Sequence, residues 1–206
     1  MKKKILIVTG DNLGLSNEQI GYNDIEILKF PVIIDGEEFR ENEEHTAKYL
    51  MDRFKHEKVV AKTQAITKTD LINAIEKNKS SYDVIIHLTM SHKMSSATFQ
   101  IAESVKKQYE GIIPIINIDS KQVTSGVGAV LLRLIDLIEE NKGVEEIENE
   151  MNLIVNNTFL FLALPDLGFL YRGGRIGKAK SLLGSIIKII PVVGLLGNEP
   201  EPIIIP

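Results

Sequence analysis

The sequence predicts an α/β fold, a doubly wound parallel sheet followed by the start of a second, smaller α/β domain. Three observations carry that prediction. The compact apolar run at residues 5–8 and the one at 83–88 are of the kind buried on both faces of a parallel sheet. They alternate with segments whose apolar residues recur at helical spacing, the pattern of strand–helix–strand units. Near Thr158 the character of the chain changes, so units spanning residues 1–156 and 157–206 are expected.

Taken in order, residues 5–8 form the first strand and residues 26–34 read as the second. Residues 46–56 have the spacing of a short helix. Residues 69–77 read as another, with Thr69 as N-cap and Leu71, Ile72 and Ile75 on one face. A buried strand at 83–88 is followed by a helix at 97–109 and a strand at 112–118 that Pro114 interrupts. Residues 126–141 make a strongly apolar helix and 144–156 an amphipathic one. Beyond them come a strand at 159–164, a helical segment at 178–188, and strands at 189–196 and 202–205 around the turn Gly197-Asn198-Glu199-Pro200. The sequence stops at Pro206 within strand-like residues, and Ile203-Ile204-Ile205 would be an unprotected apolar edge. Two readings follow: a fragment, or an edge that pairs with another molecule, a homodimer included.

Bulk composition narrows the function classes. The 206 residues suffice for a substantial core, and 44% hydrophobic with 25% charged residues is ordinary for a globular protein. A net charge of -4 argues against a general nucleic-acid binder. With no cysteine there is neither a disulfide nor a thiolate metal site, and a reducing compartment is the natural reading. Met1-Lys2-Lys3-Lys4 precedes an apolar run too short for a signal peptide, and no apolar stretch approaches the roughly 20 residues of a membrane span. A cytoplasmic protein without stable membrane insertion is expected.

In a doubly wound sheet, ligands gather beyond the carboxyl ends of the strands. The loop after the first strand, Thr9-Gly10-Asp11-Asn12-Leu13-Gly14, is either a phosphate cradle or an ordinary turn, since it lacks the full dinucleotide and P-loop spacings. Thr89-Met90-Ser91-His92-Lys93-Met94-Ser95-Ser96-Ala97-Thr98 is richer. Its hydroxyls can donate to a carboxylate, and the following helix N-terminus adds positive partial charge. Ser95 or Ser96 also suits a plain helix cap. His92 is a candidate general base, although no Ser-His-Asp order or nucleophile elbow accompanies it. His45, His56 and His87 show no metal-ligand spacing, and His87 falls within a strand as a packed residue. Asp119 and Ser120 either orient loop groups or cap the next helix. Arg172-Gly173-Gly174-Arg175 is a cationic turn that either holds an anion or partner or simply bends the chain.

Several segments, in order, resemble the DegV family. They are residues 5–9, Phe30-Pro31-Val32-Ile33-Ile34-Asp35-Gly36-Glu37-Glu38-Phe39-Arg40, Lys62-Thr63-Gln64, the 91–100 loop and helix start, Ile118-Asp119-Ser120-Lys121 with Ser125-Gly126-Val127-Gly128, and Leu170-Tyr171-Arg172-Gly173-Gly174-Arg175-Ile176-Gly177-Lys178-Ala179. The resemblance implies a bacterial two-domain carrier with one long-chain fatty acid in a tunnel between its domains, no cofactor, and no turnover of its own. It further implies that some members act as the acyl-binding subunit of fatty acid kinase, presenting the carboxylate to a separate ATP-binding subunit and carrying the acyl-phosphate onward. By the family's motifs, Thr63 and Ser91 match the carboxylate-binding threonine and serine, and His92 stands where a second loop serine is usual. The expected head-group set is therefore Thr63, Ser91, His92 and Ser95, with Thr9, Asp119, Ser120 and Arg175 around it. Phe159, Phe161, Leu164, Leu167, Phe169, Leu182 and Leu183 can line the tunnel. Family members are longer, and place a histidine- and glycine-rich segment at the head group that has no counterpart here. Two other readings stand beside the carrier: a non-binding regulatory or scaffolding relative, and a hydrolase or transferase using His92 with a nearby serine.

Overall fold

Four parallel strands organise the molecule. The computed structural model describes residues 3–42, 46–56, 61–183, 190–195 and 200–203. Strand β1 (Ile5–Gly10) is flanked by β2 (Ile25–Leu28) on one side and by β6 (Val84–Thr89) on the other, and β7 (Ile115–Asp119) completes the order β2-β1-β6-β7. Every pair in it is parallel. The chain moves outward from β1 to β2, then returns to continue on the far side with β6. The carboxyl ends of β1 and β6 therefore flank the point where the winding reverses, which is where such sheets open a crevice.

Both faces are covered, as uninterrupted apolar strands require. Ile5, Ile7, Val84, Ile86, Leu88, Ile116 and Ile118 pack on one face against α5 (Ser125–Glu139) and α6 (Val144–Asn156). Leu6, Val8, Ile85 and Ile115 pack on the other against α3 (Lys68–Asn78) and α4 (Ser96–Gln108). The doubly wound α/β expectation holds.

The strand expected at 26–34 is in fact two. Chain direction changes at Pro31, which has no N–H for a ladder and holds the residue before it away from helical geometry. After it, β3 (Val32–Ile34) leaves the parallel sheet and pairs antiparallel with β4 (Glu37–Phe39) and β5 (Ala61–Thr63). This small sheet is anchored to the main body by Ile66, 1% exposed, which joins Val8 and Leu28 in one cluster with Phe30 against it. The approach is close: a Cβ on Gly10 would lie 2.3 Å from Phe30 Cε2.

Helix 46–56 is seen as α2 (Ala47–His56), and a short α1 (Asn17–Ile20) lies before β2. The N-cap expected at Thr69 is Thr67. Its Oγ1 accepts the Asp70 N–H at 3.1 Å while Asp70 Oδ2 accepts the Thr67 N–H at 2.9 Å, a reciprocal box that Thr69 cannot form with any acid three residues on. Thr67→Ala is expected to cost about 1 kcal/mol, read as a lower midpoint of chemical unfolding with an unchanged slope.

After α6 comes a second, small assembly. Strands β8 (Leu160–Ala163), β9 (Val192–Leu195) and β10 (Pro200–Ile203) form an antiparallel sheet in the order β10-β9-β8. Leu167, Ile176, Ala179 and Val193 are its core, with Leu164, Leu170 and Leu182 packed on it. Between β8 and β9 run α7 (Gly168–Arg172) and a 3-10 segment, Gly177–Leu182, which covers the first part of the helix expected at 178–188. Residues 184–188, the turn at 197–199 and residues 204–205 lie outside the described residues, as do His45 and the side chains of His56 and Phe169.

Candidate functional site

The loop between β6 and α4 and the loop between β7 and α5 meet at the carboxyl edge of the parallel sheet. Thr89 and Asp119 are register partners at the ends of β6 and β7. Backbone bonds sew the two loops together: the Ser120 N–H donates to Thr89 O at 3.0 Å, and the Ser91 N–H to Gln122 O at 2.8 Å. Gln122 in turn donates from Nε2 to Thr158 O at 2.7 Å, tying the site to the chain entering β8.

On this frame His92 and Asp119, 27 residues apart, form a direct pair. Asp119 Oδ2 lies 2.6 Å from His92 Nδ1, and Asp119 Oδ1 accepts the His92 N–H at 3.3 Å and the Lys121 N–H at 3.0 Å. The imidazole also leans on Phe99 of α4, with ring centroids 5.8 Å apart. The His92 side chain is 39% exposed and that of Asp119 15%. Nδ1 is thus engaged inward, the ring is partly exposed, and Nε2 has no hydrogen bond among the described residues.

The neighbouring hydroxyls are more enclosed. Ser91 is fully buried, and its Oγ accepts the Lys93 N–H at 3.3 Å. Ser95 is the N-cap residue of α4, but its Oγ is 2.8 Å from Thr98 Oγ1 and makes no capping bond. Ser95 thus supplies no side-chain acceptor to the first-turn amides of this 13-residue helix, at the end where the helix dipole favours an anion. Ser120 is buried, its Oγ accepting the Gln122 N–H at 3.2 Å. Thr124, which precedes α5, has a φ of 45°, a conformation that costs a β-branched residue strain.

Of the remaining sequence candidates, Arg175 is drawn in: its Nε donates to Met94 O at 3.3 Å, joining the glycine-rich turn after α7 to the β6–α4 loop. Thr9 is buried at the end of β1, with Oγ1 lacking a hydrogen-bond partner among the described residues. By strand alternation it follows Ile5 and Ile7 onto the α5 side of the sheet, opposite Asp119. Thr63 is exposed on β5, opposite Val32, and no hydrogen bond among the described residues joins it to the His92 cluster. Gln122 and Met94 also hold the loops through their carbonyls, a backbone role that a sequence reading does not single out. Among the expected tunnel residues, Leu164, Leu167 and Leu182 belong to the small core, while Phe159 and Phe161 are exposed.

A groove of about 710 Å³ lies elsewhere, along β2 and α1, with Leu15, Ile20, Tyr22, Ile25 and Ile27 among its walls and Asp11, Lys29 and Glu41 beside them. Burial raises the Asp11 carboxyl above its usual range, and the Phe30 N–H at 3.2 Å and Lys29 offset this only in part. Two carboxyl groups make this groove a poor receptor for a third, so the chemistry favours the His92 cluster. Among the described residues no group of three or more His, Asp or Glu is placed to hold a metal ion. Nor is any helix there long and apolar enough to cross a membrane.

A doubly wound parallel sheet with polar loops at its carboxyl edge, accompanied by small antiparallel sheets, is the class of protein these features define. The sequence matches the family described as "Uncharacterised protein, DegV family" over residues 4–202. A DegV domain-containing protein of Staphylococcus aureus (strain MRSA252) is 28% identical over 189 residues, 92% of this chain and 66% of that one. One from Clostridium acetobutylicum is 32% identical over 197 residues, covering 96% and 70%. Among solved structures, a fatty-acid-binding DegV family protein from Thermus thermophilus superposes with a TM-score of 0.87 at 25% identity, covering 97% of this chain and 70% of that one. DegV from Bacillus subtilis, a fatty acid binding protein, superposes with a TM-score of 0.83 at 24% identity, covering 97% and 71%. The chain belongs to the DegV family. It spans about two thirds of the length of the relatives it matches.

Proposed function

We propose that this chain binds a long-chain fatty acid, with the carboxylate at the β6–α4 and β7–α5 loops and the tail running between the parallel-sheet body and the small β8–β10 assembly. The observation that carries the reading is the half-exposed His92, oriented by Asp119 at the uncapped start of α4. Likeness to the Thermus thermophilus protein, described as binding fatty acid, supports the ligand class. A tail of about 16 carbons offers on the order of 10 kcal/mol of gross burial energy before ordering costs. In this reading the chain is a cytoplasmic carrier that does not turn its ligand over. Phosphorylation of the carboxylate belongs to a separate ATP-binding kinase subunit. Units of residues 1–156 and 157–206 form the two sides of the site.

Thr63, Ser91, His92 and Ser95 are proposed as head-group residues, with Thr9, Asp119, Ser120 and Arg175 in support. A hydrolase using His92 is less well supported, because Ser91 Oγ accepts from Lys93 and Ser95 Oγ meets Thr98. The test is displacement of a fluorescent polyene fatty acid, cis-parinarate, from lipid-stripped protein. Hexadecanoate is expected to displace it and hexadecan-1-ol to be at least tenfold weaker, while Ser91→Ala and Thr63→Ala weaken hexadecanoate more than the alcohol. Equal displacement by acid and alcohol, or variants that leave both unchanged, would remove the carboxylate from these residues.

A further inference from the structure

Resting on the head-group reading above, we propose that the His92–Asp119 pair makes ligand binding proton-linked, so that one proton enters the site with each fatty acid anion bound from neutral or alkaline solution. The argument begins with the two ring nitrogens. An ionised carboxylate accepts hydrogen bonds and donates none. Asp119 Oδ2, 2.6 Å from His92 Nδ1, therefore takes the Nδ1 proton. In a neutral imidazole this leaves Nε2 as a bare acceptor. A second carboxylate arriving at Nε2 meets lone pair against lone pair.

The conflict is removed by a proton on Nε2. The ring then donates to Asp119 through Nδ1 and to the ligand through Nε2, a cation between two anions. The balanced step is protein plus carboxylate plus one proton giving the imidazolium–carboxylate complex, and no covalent bond forms or breaks. Asp119 also accepts the backbone N–H groups of His92 and Lys121, so its orientation is fixed before the ligand arrives. It thus acts as a positioning residue and counter-charge. Charged groups on the surrounding elements include Lys93 in the loop, Lys121 after β7, Glu103 of α4, which accepts from Asn117 Nδ2 at 2.8 Å, and Arg175, held at Met94 O, with Lys106 and Lys107 at the far end of α4. Phe99 covers one side of the ring. A serine in the place of His92 would donate its hydroxyl at any pH, so the linkage is a property of this imidazole.

The experiment is a set of cis-parinarate titrations at pH 7, 8 and 9 on the lipid-stripped 206-residue chain, its His92→Gln variant and its Asp119→Asn variant, with folding of each checked by circular dichroism. Linkage of one proton predicts that the dissociation constant of the unaltered chain rises by up to tenfold per pH unit on the alkaline side. His92→Gln, which keeps an N–H donor that does not titrate, is expected to bind with a flat profile. Asp119→Asn is expected to weaken binding most at pH 7 and to reduce the slope. Isothermal titration with dodecanoate in phosphate and in Tris should differ in heat by the buffers' ionisation enthalpies, in proportion to the proton taken up. Tight but pH-independent binding by the unaltered chain, or a slope that survives in His92→Gln, overturns the linkage and leaves fatty-acid binding intact. Absence of binding at every pH overturns both.

Discussion

Lowering the pH from about 6.5 to about 4 is expected to remove on the order of 3 kcal/mol of folding stability through His87 alone. This residue sits in the middle of β6, 1% exposed, opposite Asn117 of β7. Burial pushes its imidazole down from 6.5 to about 4, because the charged form loses its water, and the Asn117 amide offsets only part of this. Its Nδ1 has no hydrogen-bond partner among the described residues. The sign follows from which state holds the proton. Below about 6.5 the unfolded chain binds a proton at this histidine that the folded chain refuses, so the stability present above 6.5 drains away as the pH falls toward 4. Urea midpoints measured across this interval should fall with a slope that His87→Gln flattens. Parallel slopes for the two proteins would place the acid sensitivity elsewhere.

Gly128→Ala is expected to destabilise the protein by roughly 2 kcal/mol, against the helix propensity that alone would stabilise it by about 1. Gly128 lies in α5 where that helix passes the loop after β1. A Cβ there would stand 2.4 Å from Leu13 O and 2.9 Å from Leu15 Cγ. A backbone carbonyl cannot swing aside as a side-chain tip can, so either the helix or the loop must move. Gly126→Ala meets Gln122 Cβ and Oε1, each at 2.9 Å, a looser approach than that to the Leu13 carbonyl, and should cost less. Urea unfolding of the two variants separates the cases. A stabilised Gly128→Ala would mean that the loop gives way freely.

These two sites also show what a sequence can and cannot disclose. The parallel sheet was legible because its strands are short apolar runs bounded by helices, and β1, β6 and β7 fall close to where the pattern puts them. The break at Pro31 was less so. A continuous apolar stretch does not say which sheet each half joins, and β3, β4 and β5, at three residues each, are too short for periodicity to register. His92 and Asp119 could each be picked out as residues beyond strand ends. Their pairing could not, since it depends on β6 and β7 being neighbours with Thr89 opposite Asp119. The enclosure of Ser91 and Ser95 is likewise a matter of tertiary packing. Gln122 works through both its backbone carbonyl, which any residue would supply, and its side-chain amide, whose partner at Thr158 is fixed only by the tertiary fold.

The central claim, that this chain holds a long-chain fatty acid at the His92 edge, is tested most directly by native mass spectrometry of the protein purified from bacteria, followed by organic extraction. The account predicts a stoichiometric adduct with the mass of a long-chain fatty acid, restored after stripping by incubation with hexadecanoate and diminished in Ser91→Ala. A clean unliganded mass, unchanged by an excess of hexadecanoate, would contradict it and leave this chain a non-binding member of the family.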